Sequence, residues 1–551
     1  MPISAVQWTA ATKLALCTLL VACGRSPAPA APEGRAEPDP ALRAFLTERF
    51  GGISGATLRT NALPYKVVAT ALVMAEEERT GRSLDLSALP EILTRFGFIH
   101  PDRVEGWPVS IERPGGDAPL GLLRGTVRGP LPGIRVEGAT LGCAACHTGV
   151  TYDSAGYPTR HAWPGLPNTS MNVDAYVMAA YRGLQRADSD QGAFRERVQA
   201  LFPGISVRER ITMRFVLQPA IRKRLAELRR AGDRPTPFSN GGPGRTNGVA
   251  SLQRQLGLLG DGVAAPHAVG FTSIPDLAGR GLRTSLLYDG VYAPGPAARF
   301  TPMQAGELTS AHVDSLAAVV AFFTVPTMGV SPEVAEVGIP KMRPIMEWLA
   351  RRYAPPPFPG PVDGSLASEG ESVYVASCAG CHGRHAPGPA PRPLTWFPNR
   401  PVPQHEMATD PARWAMVDST FVRAIEMTGF ARHMSVSRTG GYVAPILSGV
   451  WATAPYLHNG SVPTLWSLLT PSARPVTFPV GGHRLDFRDV GIALTVDASG
   501  AASYPPGYRP WSVPETYDTR LPGLSNRGHE QYSVHLSDRE KRAVIEYLKL
   551  L

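Results

Sequence analysis

Four of the six cysteines of this 551-residue chain stand in two identical spacings, Cys143-Ala144-Ala145-Cys146-His147 and Cys378-Ala379-Gly380-Cys381-His382. In a C-x-x-C-H run two thiols add to the two vinyl groups of one porphyrin, and the next residue ligates the iron. The spacing serves this chemistry because the sulfurs lie about one helical turn apart and the following imidazole then points at the metal. Paired C-x-x-C elements also build tetrahedral zinc sites. Zinc, however, does not require a histidine at the same place after both pairs, and these two pairs are far apart. The residues therefore predict two covalently bound haem c groups, with Cys143, Cys146 and His147 holding the first and Cys378, Cys381 and His382 the second.

The other two cysteines belong to the N-terminus. Lys13 is followed by the apolar run Leu14–Ala22, and Leu20-Val21-Ala22-Cys23 resembles the lipobox of bacterial lipoproteins. Residues 1–23 are expected to be a signal and residues 24–40 a Pro/Ala/Gly-rich flexible tether, with a lipid on Cys23 as the membrane anchor. That places the chain in the bacterial cell envelope, periplasm-facing or at the surface. No later uninterrupted apolar run reaches about 18 residues, so no transmembrane segment is expected. The net charge of +9 is modest for this length and gathers in no basic run, which excludes nucleic acid as a partner and leaves a small exported electron donor or acceptor protein.

Elements must hold the two motifs in place. With 56 glycines and 55 prolines, the chain calls for long ordered loops, and its length calls for more than one core. The expected fold is mainly α with long loops, built as two cytochrome c-like haem domains in tandem. Residues 41–340 form the first, 341–364 a linker and 365–551 the second. Residues 41–140 look mainly helical, with a loop-rich end. The stretch 365–377 predicts a short helix delivering Cys378. Ser537 and Glu540 form a capping box for a last helix whose Val544, Tyr547, Leu548 and Leu551 recur at helical spacing. Residues 310–323, with Val313, Leu316, Val320 and Phe323 on one face, predict the closing helix of the first domain.

Beyond the haem motifs, the stretch GYVAPILSGVWATAPYLHNGSVPTLWSLL (441–469), and within it Ala454-Pro455-Tyr456-Leu457-His458-Asn459-Gly460-Ser461, resembles the di-haem cytochrome c peroxidase superfamily. That superfamily includes the MauG-type enzymes and the rubber oxygenases. Gly523-Leu524-Ser525-Asn526-Arg527-Gly528-His529-Glu530 is similar to the histidine-bearing segment of the rubber-oxygenase-like branch. The resemblance maps Tyr456, His458 and Gly460 onto a Tyr-x-His-x-Gly beside the second haem. The methionine ligand usual in peroxidase members falls here on Ser472, and no methionine follows it. The resemblance therefore implies a bis-histidine second haem with His529 as sixth ligand, and a lower potential than His/Met ligation gives. His458 is then expected to orient the haem edge or a propionate, and Arg245 in GGPGRTNG to pair with a propionate. His161 and His267 are the candidates for the distal side of the first haem, and Trp163 for a bridge between haems. The implied function is that of an exported oxidoreductase, peroxidase-like or oxygenase-like, with haem 1 reacting with peroxide or dioxygen and haem 2 relaying electrons. The alternative is a non-catalytic di-haem electron-transfer protein.

Overall fold

The computed structural model describes residues 37–51, 63–128, 134–259, 265 and 267–551. The signal, Cys23 and most of the expected tether lie outside them. About 41% of the chain is helix and 15% strand, the strands being short and gathered into small two- and three-stranded sheets.

The second haem motif is framed as its sequence suggests. Asp363 caps the helix Gly364–Ser377 by accepting from the Leu366 N–H at 3.0 Å, and the helix ends against Cys378. The turn Ala379–His382 follows. The final helix, Asp538–Leu548, starts in a complete capping box, with Ser537 accepting from the Glu540 N–H while the Glu540 carboxylate accepts from the Ser537 N–H. It crosses the first helix at Gly370. A Cβ on Gly370 would stand 1.9 Å from the Ala543 carbonyl oxygen, so the crossing needs glycine for closeness rather than for backbone freedom.

The first motif is framed differently. Residues 41–140, expected to be mainly helical, contain the helices Pro40–Thr47, Tyr65–Thr80 and Leu89–Thr94 but end in an antiparallel hairpin, Leu122–Arg128 against Arg135–Leu141. On its arms Arg124, Arg128, Arg135 and Glu137 alternate with apolar or small residues, the period of a strand pair. The hairpin delivers the turn Cys143–Cys146, after which Thr148–Tyr152 pairs with Pro158–Pro164.

The helix Ser310–Phe322 is present, with Val313, Leu316 and Phe322 fully buried. Together with the following turn, Ser310–Met328 is long and apolar enough to cross a membrane, but 56% of it is buried inside this fold as a core element. Residues 341–351, expected in the linker, instead belong to a further helix, Ile339–Arg351, whose Met342, Ile345, Met346 and Leu349 face the same core. The proline-rich run 351–361, which does read as a linker, follows this helix directly. Pro340 occupies the first turn, where no N–H is needed, and Pro344 is carried inside the helix.

The two halves interlock. Val417, Phe421, Ile425, Phe430 and Met434, from the sequence of the second half, complete the core around Val313 and Phe322 of the first. Conversely, Phe271 belongs to the core of the second half, and Tyr152 packs against it.

Candidate functional site

Each motif histidine is oriented by a backbone carbonyl. His147 Nδ1 lies 3.0 Å from the Pro275 oxygen, and His382 Nδ1 lies 2.8 Å from the Pro445 oxygen. A carbonyl only accepts, so Nδ1 carries the hydrogen in both rings and Nε2 presents its lone pair. This is how ligand histidines are held in metal proteins. Burial pushes His147 down to about 4 and His382 below its ordinary value, so both rings stay neutral. Burial also pushes the thiols up, Cys143 to about 11 and Cys146 and Cys378 to about 12. Among the described residues, no group of three or more His, Cys, Asp or Glu side chains is placed to hold a metal ion.

The two prolines open segments that repeat each other in constant register. Pro275, Leu277, Gly279, Leu287, Asp289 and Gly290 correspond to Pro445, Leu447, Gly449, Leu457, Asn459 and Gly460. The backbone repeats with them. Gly279 (φ 64°) and Gly449 (φ 69°) introduce the 3-10 turns Arg280–Leu282 and Val450–Ala452. Leu287 (φ 67°) and Leu457 (φ 64°) share a left-handed conformation rare for leucine. Each segment bonds the other in the same way: the Ser273 N–H donates to the His458 oxygen and the Val443 N–H to the Tyr288 oxygen, both at 2.7 Å. In this repeat Tyr288 stands where His458 stands in the second copy.

The other expected site residues are placed as follows. The His529 ring faces His382 with centroids 6.3 Å apart, and burial, with His382 and Arg474 nearby, pushes it down to about 3. His458 is buried against Tyr442 at a ring separation of 4.3 Å, its Nε2 lying 3.2 Å from the Tyr442 hydroxyl. Arg245 is 3% exposed, its guanidinium lies 4.4 Å over the Tyr517 ring, and its Nε donates to the Gly241 oxygen at 2.6 Å. Its Nη1 is buried without a hydrogen-bond partner, a donor free for an anionic group. His161 lies on the strand Pro158–Pro164 with Nε2 3.0 Å from Glu105, and His267 is exposed in a turn. The structure thus commits His161 to a carboxylate and gives His267 to solvent. Among the described residues, no ring faces His147 as His529 faces His382.

Sequence reasoning missed three further features. The Pro275 and Pro445 carbonyls orient the two motif histidines, and only the internal repeat around them could have signalled it. Tyr152, five residues after His147, holds its hydroxyl 3.0 Å from Nε2 of the buried His483, a pair joining the two halves without any motif. The linker is held at both sides by indoles, Trp163 donating to the Ala354 oxygen at 3.1 Å and Trp451 to the Pro356 oxygen at 3.3 Å.

Residues 441–479, the stretch that carries Pro445, His458 and the second copy of the repeat, match the family described as RoxA-like, cytochrome c-like. Over these residues the chain is similar to a RoxA-like cytochrome c domain. A cytochrome c-like domain implies covalently bound haem c. The chain is also 32% identical over 212 residues to the uncharacterized protein y4iM of Sinorhizobium fredii, covering 33% of this chain and 44% of that protein. It is 28% identical over 275 residues to the uncharacterized protein y4iJ of the same organism, covering 39% of this chain and 43% of that one. The chain thus spans less than half the length of the curated relatives it matches. Cytochrome c-like domains of this kind occur in haem-containing oxidoreductases and electron-transfer proteins.

Proposed function

We propose that this chain is an exported di-haem c-type cytochrome acting as an oxidoreductase, in which the haem at His147 reacts with peroxide or dioxygen and the haem at His382 relays electrons. The observation that carries this reading is the asymmetry between two otherwise repeated histidine sites. Both imidazoles are fixed by a proline carbonyl, but among the described residues only His382 is faced by a second imidazole.

Bound haem supplies the redox chemistry, and the chain's residues decide how it is held. The thiols of Cys143 and Cys146, and of Cys378 and Cys381, provide the covalent tethers. The neutral Nε2 atoms of His147 and His382 would be the histidine donors to the two haems. His529 would be a second histidine donor at the C-terminal site, and its ring centroid 6.3 Å from that of His382 leaves room for a metal ion between them, which supports this role. The unpartnered Nη1 of Arg245 is the donor for a propionate, and the buried His458 stays with Tyr442.

The test is spectroscopic. The purified protein is expected to carry two haems per chain that survive denaturation, and a count of one or none overturns the di-haem assignment. Carbon monoxide added to the reduced protein is expected to bind at one haem. Binding at neither would assign the chain to the non-catalytic electron carriers instead.

A further inference from the structure

The segment from Val207 to Arg230 runs as one helical stretch: Val207–Thr212, a π-turn Met213–Leu217 and Gln218–Arg230. Its inner face is satisfied. Met213, Leu217 and Ile221 pack against Val67, Phe194 and Val198, while Leu225 and Leu228 close on Tyr181. Its outer face carries a second apolar line. Val207 is 62% exposed, Ile211 53% and Phe215 65%, placed four residues apart and therefore in one row along the helix. Three large apolar side chains exposed in a row differ from the scattered exposed residues of an ordinary surface.

Cations flank the row. Arg208, Arg210, Arg214 and Lys223 have no carboxylate within ion-pair distance among the described residues, whereas Glu209 is occupied by Lys66 at 2.6 Å and Arg222 by Asp188 at 3.1 Å. A row of Val, Ile and Phe with an arginine collar on a surface helix is the physical signature of an element that lies in a membrane interface. There the apolar row enters the acyl boundary and the guanidinium groups meet lipid phosphates. The row is about 12 Å long and one residue wide. A specific protein partner ordinarily covers about 800 Å² on each side, more than this stripe offers.

We propose that the helical stretch 207–223 is a membrane-docking face for anionic lipid, through which the folded body lies on the bilayer independently of any lipid on Cys23. This does not depend on how many haems the chain binds or on what they react with.

The experiment uses the full haem-loaded chain carrying Cys23→Ala, so that acylation cannot contribute, in flotation with vesicles of phosphatidylcholine alone or with one third phosphatidylglycerol. Binding is expected only to the anionic vesicles and is expected to fall as salt rises. The pair Ile211→Ser and Phe215→Ser, both at exposed positions, is expected to weaken it at least tenfold while the haem spectrum stays unchanged. Arg208→Gln with Arg214→Gln is expected to weaken it as well. Undiminished binding by the serine pair overturns the proposal, because charge alone would then suffice. Failure to bind anionic vesicles also overturns it and leaves the row to an acidic protein partner.

Discussion

Asp289 and Arg413 form an ion pair at 3.0 Å with side chains 1% and 2% exposed, one residue from each half of the chain. Such a pair adds little over an apolar contact, but breaking it strands a charge. Asp289→Ala is therefore expected to cost about 3–5 kcal/mol in urea unfolding, as a buried guanidinium without a partner does. At the C-terminal haem site, His529→Ala removes the ring facing His382, and the expected outcome is conversion of one low-spin haem to high-spin in the absorption spectrum. An unchanged spectrum would remove His529 from the ligand set. His529 was legible because its segment resembled a known one and because no methionine follows Ser472. The Pro275 and Pro445 carbonyls were not, since a backbone acceptor leaves no residue-type signature. His161 and His267 were candidates for the distal side of the first haem, but the presence of a histidine in the chain says nothing about which way its side chain turns. A strand turned His161 toward Glu105.

One helix boundary was legible because its cap announced it. Ser537 with Glu540 marked the last helix, and replacing Ser537 by alanine is expected to lower stability by about 1 kcal/mol, measured as a shift in the urea midpoint. Gly370→Ala is expected to do more. Its Cβ would meet the Ala543 carbonyl at 1.9 Å, so the two helices flanking Cys378 must part, at an overpacking cost of about 1–3 kcal/mol with loosened binding around the C-terminal haem. Retained stability in that variant would show that the crossing yields easily. The hairpin before Cys143 and the helix Ile339–Arg351 were not legible, for opposite reasons. In the hairpin each arm is too short for its period of two to stand out from a helical background. In the helix, Pro340 and Pro344 sit within a proline-rich neighbourhood that reads as a linker, although the packing of Ile345 and Leu349 overrides them.

At the scale of the molecule, acid is the condition to which the fold is most exposed. Burial pushes His100 and His483 down to about 4, and burial with nearby Arg413 pushes His458 to about 3, from a value of 6.5. A group with a depressed folded-state value binds its proton more readily when unfolded. The stability these rings contribute is thus complete above about pH 6.5, declines as pH falls through the window and is gone below about 3–4. Urea midpoints measured from pH 8 to 4 are expected to fall steadily below 6.5, and a flat profile would contradict the burial of these imidazoles. The two C-x-x-C-H motifs, one in each half, were plain in the sequence. The interlocking of the halves was not, because Phe421 and Ile425 have the same apolar character whichever core they enter. That interlocking also sets an order of assembly. The Tyr288 carbonyl and the Ser273 N–H find their partners only on a stretch of chain about 170 residues further on. Until that stretch is in place the first half is an open template, and neither half can close its seam alone.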